Sequence, residues 1–267
     1  MIQVPDYSAR KITESLTIDG NLSKETWKNA RWSKRFADMV SGDPGMFNTQ
    51  TAILWNDTHL YIAFIAEEPF LEAHLTERDS IIFLESDLEV FIDGGDCYYE
   101  LEVNAANTVY EVFFIWKDAY TKGSRFDIPM FDVHQPDAYT FGGDYDRSGA
   151  TFWKGTNPRG IRWAFTRFDM PGLETAVRLD GTLNDNCDVD KGWSLEIAIP
   201  WSSLELLANS RPLPPQPGDI WTMFLGRFQK LNAGGNEIQP HPAMVLNSHG
   251  IYDTHMPDKW SRVEFNR

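Results

Sequence analysis

The sequence contains few of the features that mark metal-binding, redox or membrane proteins. Only two cysteines, Cys97 and Cys187, occur in 267 residues, and no CxxC pair supplies zinc-ligand spacing. Their spacing leaves open whether the two thiols form a disulfide. No apolar run reaches the roughly 18 residues that a membrane-spanning helix needs, and no signal-peptide pattern opens the chain. We expect no membrane partner. The location is extracellular or periplasmic if a signal peptide has been removed, and otherwise cytoplasmic.

Positive charge is also scarce. The chain has 24 Lys and Arg against 39 Asp and Glu, which gives a formal net charge of -15. Such an acidic protein is a poor partner for nucleic acid or for anionic membranes. Neutral ligands, cationic ligands and calcium remain compatible with this charge.

Aromatic residues, in contrast, are abundant. They make up 13% of the chain and include 10 Trp. Most of these rings are expected to pack in the core, and a few exposed ones could stack on sugars. The tryptophans that we assign to the core are Trp27, Trp55, Trp193, Trp201 and Trp221.

Residues 86–104 predict a β-hairpin with two different faces. Side chains alternate along a strand, so Leu88, Val90 and Ile92 share one face while Asp87 and Glu89 share the other. The second strand places Tyr98, Glu100, Glu102 and Asn104 together in the same way, and residues 93–96 supply a glycine turn between the strands. The carboxylate-rich face is either a solvated sheet surface or a binding face for a hydroxyl-rich ligand.

The rest of the chain predicts an all-β protein. Short strand patterns separated by turn signals favour a two-sheet antiparallel β-sandwich of the jelly-roll or immunoglobulin-like kind, with long loop insertions. We expect one domain over residues 1–267, because no repeat or convincing domain boundary is present. Residues 117–160 form an irregular insertion without periodicity. A loop of this length is either functional or a surface elaboration.

Six short patterns, in order along the chain, resemble the family 9 carbohydrate-binding modules. They are IDG at 18–20 followed by Trp27 and Ala30, LWNDTHLYI at 54–62, DLEVFID at 87–93, YYELEVN at 98–104, WSLEIAIPW at 193–201 and PDKWSRVEF at 257–265. Together they span most of the chain outside the insertion. The resemblance implies a jelly-roll-like sandwich, a sugar site on a sheet face flanked by aromatic rings, and structural calcium in many members.

The resemblance also assigns expected roles to particular residues. Glu89 matches the sugar-bonding glutamate of the family, and Asn104 matches its sugar-bonding asparagine. Glu102 replaces the family's arginine on the second strand. One of the two tryptophans that sandwich the sugar aligns near Phe83, and the other aligns near Tyr252. These departures concern which glycan is bound rather than the fold.

From these observations we predict non-catalytic binding of a saccharide or polysaccharide. Carboxylates, amides and arginines would bond its hydroxyls, and rings would stack on it. The candidate ligand-binding residues are Glu89, Glu102, Asn104, Arg227, Arg78, Phe83, Trp116, Trp153 and Tyr252.

Two other functions remain open from the sequence. A carbohydrate-active enzyme could use Glu89 with Glu102 or Glu196 as paired carboxylates, and a structural domain could keep the fold without a ligand. No catalytic residue or metal ligand is assigned. His249 with His255 is one weak metal pair, and the oxygen-rich residues 93–96 and 184–190 are places where calcium could bind.

Overall fold

The computed structural model describes residues 5–142, 157 and 159–267, and in this part of the chain β-strands dominate. The strands of the first half are β1 (Tyr7–Lys11), β2 (Ala37–Asp38), β3 (Thr49–Trp55), β4 (His59–Glu67), β5 (Asp87–Asp93), β6 (Cys97–Asn104), β7 (Val109–Trp116) and β8 (Ala138–Phe141). The second half contributes β9 (Arg162–Phe165), β10 (Glu174–Asp180), β11 (Gly192–Pro200), β12 (Ile220–Phe228), β13 (Asn232–Ala233), β14 (Asn236–Glu237), β15 (Ala243–Val245) and β16 (Ser261–Asn266).

Helical segments are few and short. The α-helices of the described residues are α1 (Glu25–Lys28) and α2 (Glu205–Ala208), and 3-10 turns occupy Ile82–Leu84, Pro129–Phe131, Trp201–Leu204 and Pro257–Lys259. No helix of the described residues is both long and apolar enough to cross a membrane.

Most strands belong to one large mixed sheet. Its main path runs β10-β11-β4-β3-β1-β16-β12-β5-β6-β7-β9-β8. The expectation of a purely antiparallel architecture is wrong at one place, because β1 pairs in parallel with both β3 and β16. β1 lies between β3 and β16 and so connects the two halves of the path. No hairpin turn joins β1 to either neighbour, because β1 comes from the start of the chain.

The two halves of this path enclose the main core. Ile62 and Ile197 from the β3, β4 and β11 half belong to the same buried cluster as Val90, Leu101 and Leu225 from the β5, β6 and β12 half. All five side chains are at most 1% exposed. The tryptophans assigned to the core are buried as expected, each at most 3% exposed. Burial of these apolar faces is the main stabilising contribution.

The outer face of the β3, β4 and β11 half is covered by the beginning of the chain. Trp27 of α1 packs there with Leu54 and Tyr61 in a separate buried cluster. Glu196 of β11 holds this cover in place. Its carboxylate accepts hydrogen bonds from Trp27 Nε1 at 2.5 Å and from Lys24 Nζ at 2.6 Å.

Two loop-rich segments contain strands, one of them the insertion that was expected to be irregular. The described part of the 117–160 insertion includes β8, which pairs with β9. Residues 231–250 include β15, which pairs with β12 and β2. β8 is the last strand of the main path, and β15 connects β12 to β2 from the beginning of the chain. The cysteines are both free, with Cys97 buried and Cys187 exposed.

We expect Glu196→Ala to lower the free energy of unfolding by about 2–4 kcal/mol, because it leaves the buried Trp27 indole N–H without an acceptor and Lys24 without its partner. Urea denaturation followed by tryptophan fluorescence measures this change. Glu174→Ala on the adjacent strand β10 is the control, because that side chain is exposed, and its effect should stay within about 0.5 kcal/mol. Equal effects of the two substitutions would contradict the assigned role of Glu196.

Candidate functional site

A pocket of about 460 Å³ lies on the outer face of the other half of the sheet. Strands β12, β5, β6 and β7 are neighbours there and supply its floor, and β8, β9 and the loops before β5 and after β15 supply its walls. The volume falls within the range of small-molecule binding sites.

The floor of the pocket combines three acidic side chains of the central hairpin, Glu89, Glu100 and Glu102, with apolar side chains of the same strands and of β7. The register places Glu89 of β5 directly opposite Glu102 of β6, and Phe91 opposite Glu100. This pairing confirms the hairpin expected from the sequence. Gly226 of β12 lies opposite Glu89 on the other side, and the absence of its side chain leaves room for the ring of Phe224.

The acidic face is buried rather than solvated. Asp87, Glu89, Glu100 and Glu102 are each at most 4% exposed. Asp87 Oδ2, Glu89 Oε2, Glu100 Oε2 and Glu102 Oε2 have no hydrogen-bond partner among the described residues. Carboxyl groups in such surroundings are costly to keep ionised, because water has been removed without replacement by fixed donors.

Burial changes the acid–base behaviour of the floor. Desolvation raises the pKa of Glu89 well above its ordinary value, and the nearby carboxylates of Asp87 and Glu100 raise it further. The same two causes, burial first and neighbouring carboxylates second, raise the pKa of Glu102. Burial raises the pKa of Glu100 to about 8, although Glu102 and Arg162 oppose the shift. The floor therefore combines hydrogen-bond acceptors with carboxyl groups that can carry a proton and donate.

Aromatic rings form the walls. Phe83, Tyr110, Tyr139, Phe141 and Tyr252 line the pocket. Phe83 is 43% exposed and Tyr139 is 55% exposed, so parts of their rings are accessible to a ligand. Tyr252 donates a hydrogen bond to the backbone oxygen of His241 at 2.7 Å, which fixes the orientation of its ring.

His255 connects the floor to the wall. Its Nδ1 lies 3.0 Å from Tyr98 Oη and 3.7 Å from Glu100 Oε2. The imidazole also contacts the ring of Phe141, with a distance of 4.4 Å between ring centroids. This histidine therefore belongs to the pocket.

The structure brings four of the candidate ligand-binding residues together at the pocket: Glu89, Glu102, Phe83 and Tyr252. Asn104 shares the hairpin face but is used for folding. Its Nδ2 donates to Leu75 O at 2.9 Å, and its Oδ1 accepts from the backbone N–H groups of Ala106 and Thr108. Both the nitrogen and the oxygen of the Asn104 side-chain amide therefore bond the protein's own backbone.

The two candidate arginines lie elsewhere. Arg227 is paired in register with Leu88 and therefore points to the face opposite Glu89. There it donates to Glu67 O at 2.7 Å and lies 3.4 Å from Glu68. Arg78 forms ion pairs with Glu111 and Asp169. Neither guanidinium lines the pocket, because strand register and local ion pairs direct both of them away from it.

The candidate tryptophans do not supply stacking rings in the described pocket. Trp116 is 2% exposed and packs with Tyr98 and Arg162 beside the pocket rather than in its lining. Trp153 lies outside the described residues.

The proposed metal-binding loops use their polar groups internally. His249 Nδ1 lies 2.7 Å from Asp253 O, and burial lowers the pKa of this imidazole. In the 184–190 loop, Asn184 bonds the backbone of Ala73, and Asp190 accepts from Leu71 and Thr182. These contacts are those of ordinary turn stabilisation.

Sequence reasoning did not select Glu100, Tyr110, Tyr139, Phe141 or His255 as ligand-binding residues. Strand alternation already placed Glu100 on the face of Glu102, so a signal for it was present. Tyr110 also follows from alternation once β7 is paired with β6. The rings of β8 had no such signal, because they lie in the aperiodic insertion.

The sequence matches no protein-family model, and no curated protein matches it significantly. Structural similarity is nevertheless extensive. A candidate carbohydrate-binding protein from Bacteroides uniformis matches with a TM-score of 0.59 and 13% identity over 97% of this chain and 98% of that one.

Two structures of a family 9 carbohydrate-binding module from Caldicellulosiruptor kristjanssonii are also similar. The complex with cellotriose has a TM-score of 0.52 and 12% identity, and covers 97% of this chain and 93% of the module. The complex with glucose has a TM-score of 0.53 and 13% identity, and covers 97% and 96%. At such low identity these matches show the fold, which is the β-sandwich of family 9 carbohydrate-binding modules.

We expect Glu102→Gln to raise the free energy of unfolding by about 1 kcal/mol, because it removes one of several mutually repelling buried carboxyl groups. Urea denaturation at pH 8 with a chelator present measures this effect.

Glu111→Gln is the matched comparison for this prediction. Glu111 is equally buried but has partners, accepting from Tyr99 Oη at 2.6 Å and from Met170 N at 2.9 Å beside Arg78. We expect its substitution to lower the free energy of unfolding by about 1–3 kcal/mol. A fall in the free energy of unfolding in both variants would show that the floor carboxyl groups stabilise the fold.

Proposed function

We propose that this protein binds a saccharide in the pocket above the β5–β6 hairpin and does not convert it. The observation that carries the proposal is the pairing of a buried acidic floor with aromatic walls. The carboxyl groups of Glu89, Glu100 and Glu102 are held at the floor with unused hydrogen-bonding capacity, and accessible rings stand beside them.

The two parts of the pocket suit the two surfaces of a sugar ring. Hydroxyl groups need donors and acceptors in fixed positions, which a set of buried carboxyl groups in mixed protonation states supplies. The C–H face of a pyranose is apolar and packs against an aromatic ring. Phe83 and Tyr252 are the rings that we assign to this contact, with Tyr139 and Phe141 completing the wall.

The shared fold supports this assignment. The family 9 modules with the same fold hold glucose and cellotriose in their complexes, so this architecture can accommodate a sugar. We also propose that the two layers are connected as in a jelly roll and that residues 1–267 form a single domain. The absence of a basic character argues against nucleic acid as the ligand.

Glycoside hydrolysis is the competing function with specific support. Glu89 and Glu102 face each other in register, and they have ligand oxygens within 4.8 Å of one another. Retaining glycosidases hold their two carboxyl groups about 5–5.5 Å apart. A binding assay must therefore also measure whether the sugar is cleaved.

The experiment is isothermal titration calorimetry against glucose, cellobiose, cellotriose and a panel of neutral, acidic and amino sugars. Each mixture is then analysed by chromatography. We expect saturable binding of at least one sugar without cleavage. Cleavage that Glu89→Gln abolishes would establish the enzyme instead, and the absence of binding across the panel would favour a domain without a sugar ligand.

We expect Phe83→Ala to weaken binding of the selected sugar about tenfold, because one stacking ring contributes about 1–1.5 kcal/mol. Phe70→Ala is the matched control, since this ring is 51% exposed and does not line the pocket. Its dissociation constant should match that of the unaltered protein. Equal weakening in both variants would place the sugar elsewhere.

A further inference from the structure

The carboxylates at one end of the pocket floor are close enough to share a ligand. One oxygen each from Asp87, Glu89 and Glu102 lie within 4.8 Å of one another. The hairpin creates this arrangement, because Glu89 and Glu102 are direct cross-strand partners and Asp87 is two residues earlier on the same face of β5.

A second observation points to a bound group between them. Each of the three side chains is at most 3% exposed, and each has one oxygen without a hydrogen-bond partner among the described residues. Arg227 is the basic residue nearest along the neighbouring strand, but its guanidinium lies on the other face of the sheet against Glu68. Arg162 lies on the pocket side, but it acts on Glu100 and bonds Tyr98. The cluster therefore contains up to three negative charges, and no basic side chain of the described residues forms an ion pair with it on the pocket side.

Glu100, the fourth acid of the floor, also has an oxygen without a partner among the described residues, whereas Glu196 and Glu68 outside the floor do not share this condition. Glu196 is bonded by Lys24 and Trp27, and Glu68 accepts from Trp193 Nε1 and Gln229 Nε2, each at 2.8 Å. Donors from neighbouring side chains thus bond the buried carboxylates of Glu196 and Glu68. The buried carboxylate oxygens without a partner are concentrated at the floor of the pocket.

The donor atoms indicate which cation fits. All donors are carboxylate oxygens, which hard cations prefer, and the imidazole or thiolate ligands typical of zinc are absent from the set. Calcium takes about six to eight oxygen ligands in a flexible geometry, whereas magnesium requires a near-octahedral shell and usually keeps several waters. Three carboxylates on two rigid strands, with further ligands available from the pocket, suit calcium better than magnesium.

We propose that Asp87, Glu89 and Glu102 form a calcium site at the floor of the pocket. The three carboxylates supply ligands from the protein side. Glu89 and Glu102 also line the pocket, so the remaining coordination positions face its interior, where water or a ligand oxygen completes the shell. This site lies apart from the 93–96 and 184–190 turns, and it does not depend on the bound molecule being a sugar.

The test is a calorimetric titration of the chelator-treated full chain with CaCl₂, and separately with MgCl₂, at neutral pH. We expect one calcium site, weaker binding of magnesium, and a rise in Tm when calcium is added. Absence of calcium binding up to millimolar concentration overturns the proposal.

Asp87→Asn is the main variant. Asp87 Oδ1 accepts from Phe228 N, and an asparagine oxygen keeps that contact, so the fold should be retained. We expect calcium affinity to fall at least tenfold in this variant and in Glu102→Gln. Glu111→Gln is the control, because Glu111 is a buried carboxylate outside the cluster that already has partners. Once shown to be folded, this variant should bind calcium as the unaltered protein does.

The variants also separate this site from others. Unchanged calcium binding in Asp87→Asn and Glu102→Gln, with each variant shown to be folded by its Tm in chelator, overturns the proposal and places the ion elsewhere. Sugar binding is measured independently on chelator-treated and calcium-loaded protein. A failed calcium titration therefore leaves the saccharide proposal intact, and a failed sugar panel leaves the calcium site intact.

Discussion

The burial of several carboxyl groups on one face of a single hairpin is the constraint on which the pocket depends. Asp87, Glu89, Glu100 and Glu102 are removed from water, yet each has an oxygen without a hydrogen-bond partner among the described residues. Such an arrangement costs stability unless the groups take up protons or a cation. A protein that keeps it must offset the cost elsewhere.

The other face of the same hairpin provides that offset. Leu88, Val90, Leu101 and Val103 alternate with the acids and pack in the main core against the second layer. Because the two sets are interleaved residue by residue, the apolar core fixes where the acids stand. The positions of Glu89 and Glu102 are therefore set by rigid strands, which is the support that a precise binding site requires.

The sequence predicted the hairpin well because its information is local. Alternation and a glycine turn determine the pairing of neighbouring strands, so the common face of Glu89 and Glu102 followed directly. Arg227 shows the limit. Its orientation depends on how β12 pairs with β5, and strands more than 120 residues apart carry no local signal for their register. Asn104 shared the predicted face, but only the loop of Thr108 and the backbone of Leu75 reveal that its amide is already used.

The sequence by itself determined that the chain is rich in strands, acidic, and built around a hairpin with one apolar and one carboxylate face. These properties follow from composition and from the two-residue period of a strand. Tertiary structure alone decided that the acidic face is buried, that rings from β8 and from the loop at Tyr252 stand over it, and that both candidate arginines point away. The physical reason is that burial and charge pairing depend on which distant segments pack together, and that packing is a property of the whole fold.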